Sequence, residues 1–499
     1  MGLVQKDALR TSLISSFGLV LGYINKGFLF LLIFSTEQIG VVNLTFSLGV
    51  LFAQFSNLGV VYSIWKFFPF FRNKEKAHHG FLSFVLFIAM AGALLVTLVF
   101  LLFRSSIESI YVENSPLFLK YYLWIIPLGL GYLFYLVFEV YLRSLFKNVI
   151  SVFALDIVLR LSVTGLLFFF WMDWISFDNF VGIHSLLFFI PPLILALYLY
   201  RIKEWYVHPK YIHISKRFQK ILFHFSAFNY VNTLGSVLVN SLDVIMVAQY
   251  IGLRATGIYS TVIFLTSALQ VPFKSLIRVS SPLIAEYWKK RDMIQMKKLY
   301  RQVSSVSLVI GLGLFLLVWV NIDFLFSFLK PEFGEGIAVF FFLMMGRLLD
   351  MYFGLNGAIF TTSKKYRYDL IFTVSLLVIV YVLNLYLIPI YGIKGAAIST
   401  AIAIGVYNVG RMAFVYLAYG LHPFEWQQGV IISIGASVGV LFYQFGLFEQ
   451  LSWLNLIIKS GLVVLFFFVP IIVFGLSRDL NSYLKNGIQF LKPKPKASS

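Results

Sequence analysis

The stretch STEQIGVVNLTFSL, from Ser35 to Leu48, has a counterpart further along the chain, GLRATGIYSTVIFL, from Gly252 to Leu265. Each stretch opens an apolar helix after a short turn. Aligning Gly40 with Gly257 gives an offset of 217 residues. Similar segments at a fixed spacing are typical of a chain that contains an internal repeat.

A second pair of segments gives nearly the same offset. SLFKNV at Ser144–Val149 and TSKKYR at Thr362–Arg367 align Lys147 with Lys365, which are 218 residues apart. Two distant pairs that agree within one residue predict two homologous halves. We therefore predict an N-lobe at 1–210, a C-lobe at 211–420, two additional helices at 421–476 and a basic cytoplasmic tail at 477–499.

The composition predicts an all-α polytopic membrane protein. Of the 499 residues, 60% are hydrophobic and 12% are charged, and the mean hydropathy is +0.87. Soluble domains carry about 25% charged residues. Apolar runs of about 20 residues predict about fourteen transmembrane helices. Their approximate limits are 12–34, 39–67, 80–103, 119–146, 148–171, 180–201, 220–250, 256–285, 302–328, 336–360, 367–388, 394–419, 427–447 and 452–476.

Each predicted lobe contains six spans. An even number keeps the two lobes parallel, related by a pseudo-two-fold axis along the membrane normal. This arrangement predicts a central cleft and alternating access to it. The outer loops are short.

Positive charge is concentrated in alternate loops, within a formal net charge of +19. The positive-inside rule assigns these loops and both termini to the cytoplasm. The start of the chain, MGLVQKDALRTSL, has no small-residue cleavage site, so we expect no removable signal peptide.

The segment VPFKSLIRVSSP, from Val271 to Pro282, places Lys274 and Arg278 one helical turn apart within an apolar run. A charge at the bilayer centre costs about 2.5–3.5 kcal/mol on insertion scales, so it normally faces a polar cavity. Two like charges four residues apart also repel each other. We therefore predict that the pair lines a cavity and meets an anionic group such as pyrophosphate. The alternative is an anchor at the inner membrane interface.

Lys26 and Arg411 also have no acidic residue three or four positions away. Under the offset of 217, the counterpart of Lys26 is Asp243. The sequence therefore predicts either a Lys26–Asp243 pair that acts as a gate, or proton or Na⁺ binding at Asp243. The predicted cationic substrate site comprises Lys26, Lys274, Arg278, Arg411 and Arg143.

Other intramembrane charges occur as opposite pairs within one helix: Glu139 with Arg143, Asp156 with Arg160, and Arg347 with Asp350. Residues three or four apart are neighbours on a helix surface. A structural, self-neutralised pair and a functional role both stay open for each of them. The predicted gating or ion-coupling residues are Asp243, Arg347, Asp350 and Glu139.

Sequence signals for catalysis are lacking. The chain has no HExxH, GxSxG or Walker-type motif and no Cys. We therefore expect no enzymatic activity, no catalytic residue, no metal site, no nucleic-acid partner and no cofactor beyond a coupling H⁺ or Na⁺. Without a nucleotide site, transport is expected to be secondary or driven by the membrane potential.

Three segments carry a resemblance to a known family: EQIGVVNLTFS at Glu37–Ser47, the run from DVIMVAQYIGLRATG to SSPLIAEYW at Asp243–Trp288, and YGIKGAAISTAIAIGVYNVGRM at Tyr391–Met412. The chain resembles polysaccharide flippases of the O-antigen and capsule type over almost its whole length. These belong to the multidrug/oligosaccharidyl-lipid/polysaccharide exporter superfamily, which includes lipid II flippases and multidrug and toxin extrusion transporters.

The resemblance implies translocation of undecaprenyl-pyrophosphate-linked oligosaccharide from the inner to the outer leaflet of a bacterial plasma membrane. Lys26, Lys274 and Arg278 match in kind the basic residues of the family's first and eighth helices. This chain has a single Lys in its first helix, where lipid II flippases carry several Arg. That departure favours a glycan other than the peptidoglycan precursor.

Two other functions compete with flipping. A drug/cation antiporter of the same superfamily should have an acidic site, and Asp243 is the one unpaired deep acid in the sequence interpretation. A membrane glycosyltransferase or glycan polymerase should have long outer loops, and those here are short. The expected partners are the lipid-linked substrate, the bilayer and the pathway's glycan polymerase and glycosyltransferases, and the protein is expected to be a monomer.

Overall fold

Helices form every regular element in the part of the chain that the structure describes. The structure is a computed structural model and describes residues 3–212, 214–445 and 452–477. The predicted all-α polytopic membrane architecture is confirmed. The tail predicted at 477–499 lies outside the described residues from 478 onward.

The α-helices of the first part of the chain are α1 (Leu3–Ile24), α2 (Phe30–Ile33), α3 (Thr36–Ser56), α4 (Val60–Phe71), α5 (Phe81–Leu102), α6 (Arg104–Tyr111), α7 (Pro116–Leu119), α8 (Ile125–Ser144), α9 (Asn148–Phe153), α10 (Arg160–Trp171), α11 (Phe177–Leu187) and α12 (Ile190–Arg201). Those of the second part are α13 (Lys216–Tyr250), α14 (Leu253–Ala268), α15 (Val271–Lys290), α16 (Met293–Trp319), α17 (Ile322–Ser327), α18 (Gly336–Phe353), α19 (Leu355–Thr362), α20 (Asp369–Tyr391), α21 (Ile393–Tyr419), α22 (Trp426–Phe445), α23 (Trp453–Val463) and α24 (Val469–Val473). Single π-helical segments at Asn25–Leu29, Ala154–Leu159 and Val464–Phe468 join α1 to α2, α9 to α10 and α23 to α24.

Twelve helices in the described residues are long and apolar enough to cross a membrane. The bent pair α14 and α15 adds a thirteenth span if the two are counted as one. The shorter apolar helix Trp426–Phe442 lies where the sequence predicted the span 427–447. Each predicted span therefore has a helix in the structure, although one is broken and one is short.

Local signals explain where the helices that matter for function begin and bend. Ser35 and Gln38 form a capping box at the start of α3, with hydrogen bonds of 3.2 and 3.0 Å. α14 and α15 meet at an angle of 51°. Pro272 stands in the first turn of α15 and cannot donate a backbone hydrogen bond, which favours a break just before it.

The chain divides into two compact units. Unit 1 consists of Met1–Thr261 and Val380–Ala396, and unit 2 consists of Val262–Ile379 and Ala397–Ser499. These units differ from the lobes predicted at 1–210 and 211–420, because the helices α13 and the first part of α14 group with the N-terminal helices. The predicted lobe boundaries stay a prediction.

Aromatic side chains fill the core of unit 1 between α4, α5 and α8. Phe68, Phe81 and Tyr141 are fully buried, and the rings of Phe68 and Tyr141 lie 4.9 Å apart between centroids. In unit 2 the buried side chains of Ile284 and Tyr300 pack in one cluster that joins α15 to α16. These cores hold the helices that carry the intramembrane charges.

A buried charged network ties two polar links of unit 1 together. Glu204, which is 4% exposed, accepts hydrogen bonds from His78 and Lys74, each at 2.6 Å. Burial acts to raise the pKa of Glu204, but the hydrogen bonds from Lys74 and His78 outweigh it and the pKa lies below its usual value. The same contact raises the pKa of Lys74.

Glu204→Gln is expected to lower the free energy of unfolding by about 1–3 kcal/mol, because the buried His78 side chain loses its charged acceptor. The pKa of Glu204 is lower in the folded protein than its ordinary value of 4.5. The ionised carboxylate therefore stabilises the fold at any pH above 4.5, and this stabilisation is lost as the pH falls through the folded-state pKa. Thermal unfolding in detergent across acid and neutral pH measures both effects. Glu75→Gln, at an exposed position in the same link, is the control. An equal loss in both variants, or a difference that persists at low pH, would contradict the assignment.

Candidate functional site

The two glycines that define the repeat lie against each other's helices in unit 1. A Cβ atom added to Gly40 would lie 2.1 Å from the carbonyl oxygen of Leu253, and one added to Gly257 would lie 1.9 Å from that of Thr36. Thr36 and Leu253 are the first residues of α3 and α14 and are themselves 217 apart. The contact is therefore reciprocal, as expected if a pseudo-two-fold axis passes through the crossing of the two helices.

The side chains of Asn43 and Ser260 meet further along the same crossing. The Asn43 amide donates a 3.0 Å hydrogen bond to the Ser260 hydroxyl, and the two residues are 217 apart. A residue that contacts its own repeat equivalent lies at the pseudo-axis. We call Gly40, Gly257, Asn43 and Ser260 the crossing.

Lys26 contacts the crossing from the π-helical turn Asn25–Leu29. Its ammonium donates a 3.3 Å hydrogen bond to Asn43 Oδ1 and lies 4.9 Å from the ring centre of Phe46. Isolated π-helical turns occur frequently at functional sites. Lys26 is only partly buried, so it can contact Asn43 and a further group at the same time.

Asp243 contacts Tyr259, the residue before Ser260 of the crossing, and is 5% exposed. Its carboxylate accepts hydrogen bonds from Tyr259 and Asn384, each at 2.8 Å. Lys26 and Asp243 thus occupy repeat-equivalent positions beside one crossing, with contacts to different partners. The direct Lys26–Asp243 pair stays a prediction, and so does ion binding at Asp243.

Two of the predicted in-helix pairs form in unit 1. Arg143 donates to Glu139, which is 7% exposed, while the Arg143 side chain is 57% exposed. Arg160 donates to Asp156 at 3.0 Å. Because the Arg143 side chain is more than half exposed in its pair with Glu139, some of its N–H groups remain available to another acceptor.

The Asp156–Arg160 pair also holds α1. Ser15 donates to Asp156 at 3.2 Å, and Arg160 donates to the carbonyl of Gly18. A Cβ on Gly18 would lie 2.5 Å from the Asp156 Cβ, so glycine is required for this close approach. This geometry favours the structural interpretation of the pair.

Lys274 and Arg278 both have exposed side chains on α15. Within residues 3–212, 214–445 and 452–477, neither side chain makes a hydrogen bond or an ion pair. An unpaired cation in an apolar span is the arrangement that the sequence predicted to need an anionic partner. This exposure is compatible both with lining of a cavity and with anchoring at an interface.

Arg347 holds the bend between α14 and α15. It donates to Thr266 at 3.0 Å and to Gln270 at 2.7 Å, both of which lie just before Pro272. Asp350, the predicted in-helix partner of Arg347, accepts a 3.2 Å hydrogen bond from Asn408. The geometry gives Arg347 a role in fixing the direction of the helix that carries Lys274.

Arg411 has an acidic partner that the sequence analysis did not identify. Its guanidinium donates a 2.6 Å hydrogen bond to Asp369, and both residues are 7% exposed. Arg411 also donates to the Tyr407 hydroxyl at 2.6 Å. No acidic residue lies three or four positions from Arg411 in the sequence, and its partner lies 42 residues earlier in the chain, on the preceding helix.

Arg411→Met is expected to destabilise the protein by about 3–5 kcal/mol, because it leaves a buried carboxylate without its partner. The double variant Arg411→Met with Asp369→Asn should recover most of that loss, since no uncompensated charge remains. Thermal unfolding of purified protein measures both. Arg367→Met, at an exposed position near Asp369, is the control. A double variant as unstable as the single one would contradict a paired role.

Asn43, Ser260 and Asp369 were missed by sequence reasoning, although a signal existed for the first two. The offset of 217 that aligned the glycines also aligns Asn43 with Ser260. Asp369 lies in the first turn of the predicted span 367–388, and the sequence analysis gave it no role. Among the described residues, no three His, Asp or Glu side chains converge in a way that could hold a metal ion.

The sequence has limited similarity to known proteins. No protein-family profile matches the chain. Over 209 residues the chain is 23% identical to the capsular polysaccharide biosynthesis protein CapF of Staphylococcus aureus, and the match covers 40% of this chain and 52% of CapF. The match therefore spans about half the length of that relative.

Solved structures align over much more of the chain. The lipid II flippase MurJ in an inward closed conformation is 15% identical, with 92% of this chain and 97% of MurJ covered and a TM-score of 0.71. An inward-facing multidrug resistance MATE family transporter is 14% identical, with 81% and 94% covered and a TM-score of 0.67. A MOP superfamily transporter from Pyrococcus furiosus is 14% identical, with 84% and 96% covered and a TM-score of 0.53. The chain therefore has the fold of the transporters and flippases of the MOP superfamily.

Proposed function

We propose that this protein flips an undecaprenyl-pyrophosphate-linked oligosaccharide from the cytoplasmic to the outer leaflet by alternating access, for cell-surface polysaccharide biosynthesis. The observation that carries the proposal is the exposed Lys274–Arg278 pair on α15. In the described part of the chain, neither cation forms an ion pair with an acidic residue, whereas Arg143, Arg160 and Arg411 each form one.

Pyrophosphate suits such a pair. Two cations one turn apart can contact neighbouring phosphate oxygens, and charge-assisted hydrogen bonds are roughly twice as strong as neutral ones. Outward movement of the substrate is also favoured by a membrane potential that is negative inside. Each negative charge that leaves the cytoplasm gains about 2.3 kcal/mol per 100 mV.

The similarity to CapF supports a glycan as the cargo. The similarity to MurJ supports a lipid-linked cargo, since MurJ is described as a lipid II flippase. We further propose a bacterial inner-membrane location with both termini in the cytoplasm, a transporter rather than an enzyme, and a monomer that works beside the pathway's glycosyltransferases and polymerase.

Depletion of the protein tests the proposed function. The expected result is accumulation of undecaprenyl-linked glycan on the inner leaflet, measured as the pool that stays inaccessible to a membrane-impermeant reagent outside spheroplasts. An unchanged pool would contradict the proposal. If sensitivity to cationic drugs rises instead, the protein is a drug/cation antiporter.

The antiporter is the second candidate because Asp243 is a buried carboxylate and MATE transporters share the fold. The same residue also fits a coupling role for H⁺ or Na⁺ in a flippase. The Tyr259 hydroxyl and the Asn384 amide position this carboxylate by hydrogen bonds. Export in Na⁺-free medium, with and without a protonophore, distinguishes the two ions.

A further inference from the structure

A cavity of about 500 Å³ opens at the basic end of α16 in unit 2. Lys297, Lys298 and Arg301 line it, and Glu425 is the one acidic residue among its described lining residues. The three basic residues belong to the segment between the predicted spans 256–285 and 302–328, which the positive-inside rule assigns to the cytoplasm. Lys274 and Arg278 of α15 do not line the cavity.

Within the described residues, only one of the three cations of this cavity, Arg301, forms an ion pair with an acidic residue. Arg301 is 3.9 Å from Glu425, and its other terminal nitrogen lies 3.2 Å from His422 Nε2. The Arg301 Nε atom is buried with no hydrogen-bond partner in the described chain. Across those same residues, Lys297 and Lys298 make no hydrogen bond or ion pair.

The His422 side chain lies in the field of these cations. Burial lowers its pKa, and the charges of Arg301 and Lys297 lower it further. The sequence that follows Ser477 is itself basic. From Arg478 to Ser499 it contains one Asp and five Lys or Arg.

The wall of the cavity is apolar on one side. Leu476 lines it, and Ile294, which also lines it, is 81% exposed. A free anion gains nothing from such a wall, whereas a lipid places its glycerol and first acyl carbons there. Basic pockets on the cytoplasmic side of membrane proteins bind anionic headgroups.

We propose that this cavity binds the phosphodiester headgroup of an anionic phospholipid of the cytoplasmic leaflet, with the phosphate held by Lys297, Lys298 and Arg301. The site is separate from the proposed substrate pair and does not depend on the proposed transport activity. Inorganic phosphate shares the chemistry of the headgroup, so the test must separate the two.

Purified full-length protein in detergent is titrated separately with dioctanoyl phosphatidylglycerol, dioctanoyl phosphatidylcholine and sodium phosphate. Calorimetry measures the binding affinity for each of the three probes. Phosphatidylglycerol should bind, and the other two probes should bind at least about tenfold more weakly. Lys297→Gln with Lys298→Gln should weaken phosphatidylglycerol binding about 30-fold, given the contribution of each Lys near an anionic headgroup.

Lys289→Gln with Arg291→Gln is the matched control, because it removes two exposed charges from the same basic segment outside the cavity. The control should bind phosphatidylglycerol within about twofold of wild type. Equal losses in both variants would overturn the proposal in favour of a diffuse basic surface. Equal binding of phosphatidylcholine, or phosphate binding as tight as that of phosphatidylglycerol, would also overturn it. Thermal unfolding without lipid verifies that both variants are folded.

Discussion

Lys274→Ala combined with Arg278→Ala is expected to abolish glycan export while the protein still inserts and folds. Two charge-assisted contacts to a pyrophosphate contribute about 1.5–3 kcal/mol each, so their loss lowers export by more than about 100-fold. Folding should survive because both side chains are exposed, and in the described chain their removal leaves no partner unsatisfied. The measurement is the fraction of lipid-linked glycan that reaches the outer leaflet of spheroplasts.

Two further variants make this result interpretable. Lys364→Ala with Arg367→Ala removes two exposed cations from a polar link and should leave export unchanged. Lys274→Arg with Arg278→Lys keeps both charges and should retain most of the export. Normal export by the alanine variant would mean that the pair only anchors α15 at the membrane interface.

A disulfide between Asn43→Cys and Ser260→Cys is expected to stop transport reversibly. The two native side chains are in hydrogen-bond contact at 3.0 Å, so the substituted thiols lie close enough to react. Alternating access requires helices near a pseudo-axis to change their separation or angle. Because the natural chain contains no Cys, the introduced pair is the only source of a cross-link.

The oxidised double variant should lose at least about tenfold in export and should recover when the disulfide is reduced. Each single Cys variant, treated with the same oxidant, is the control and should keep its export rate. A cross-linked protein that exports at the normal rate would mean that α3 and α14 keep a fixed contact at the crossing throughout the transport cycle.

The sequence predicted the membrane architecture well, because hydropathy depends on composition over about 20 residues and not on tertiary contacts. The repeat was also readable, since Gly40 and Gly257 are required by a close approach that no larger residue permits. The in-helix pairs Glu139–Arg143 and Asp156–Arg160 followed from helical spacing alone.

The partners of Arg411 and Arg347 could not be predicted in the same way. Arg411 pairs with Asp369 across two helices, and Arg347 binds Gln270 at a bend in another helix. Such contacts depend on how helices pack, which helical spacing does not encode. The boundary between the two compact units at Thr261 has no signal in the sequence, since it falls within the apolar helix α14.

The crossing has a consequence for the electrical character of the protein. Asn43 and Ser260, which are in contact there, are 217 residues apart, and the same spacing pairs Lys26 with Asp243 in the sequence. The two halves of the sequence therefore carry opposite charges at these corresponding positions. A chain of this kind can offer one equivalent position to an anion and the other to a cation, so divergence between two copies of a single ancestral segment suffices to couple opposite charges within one fold.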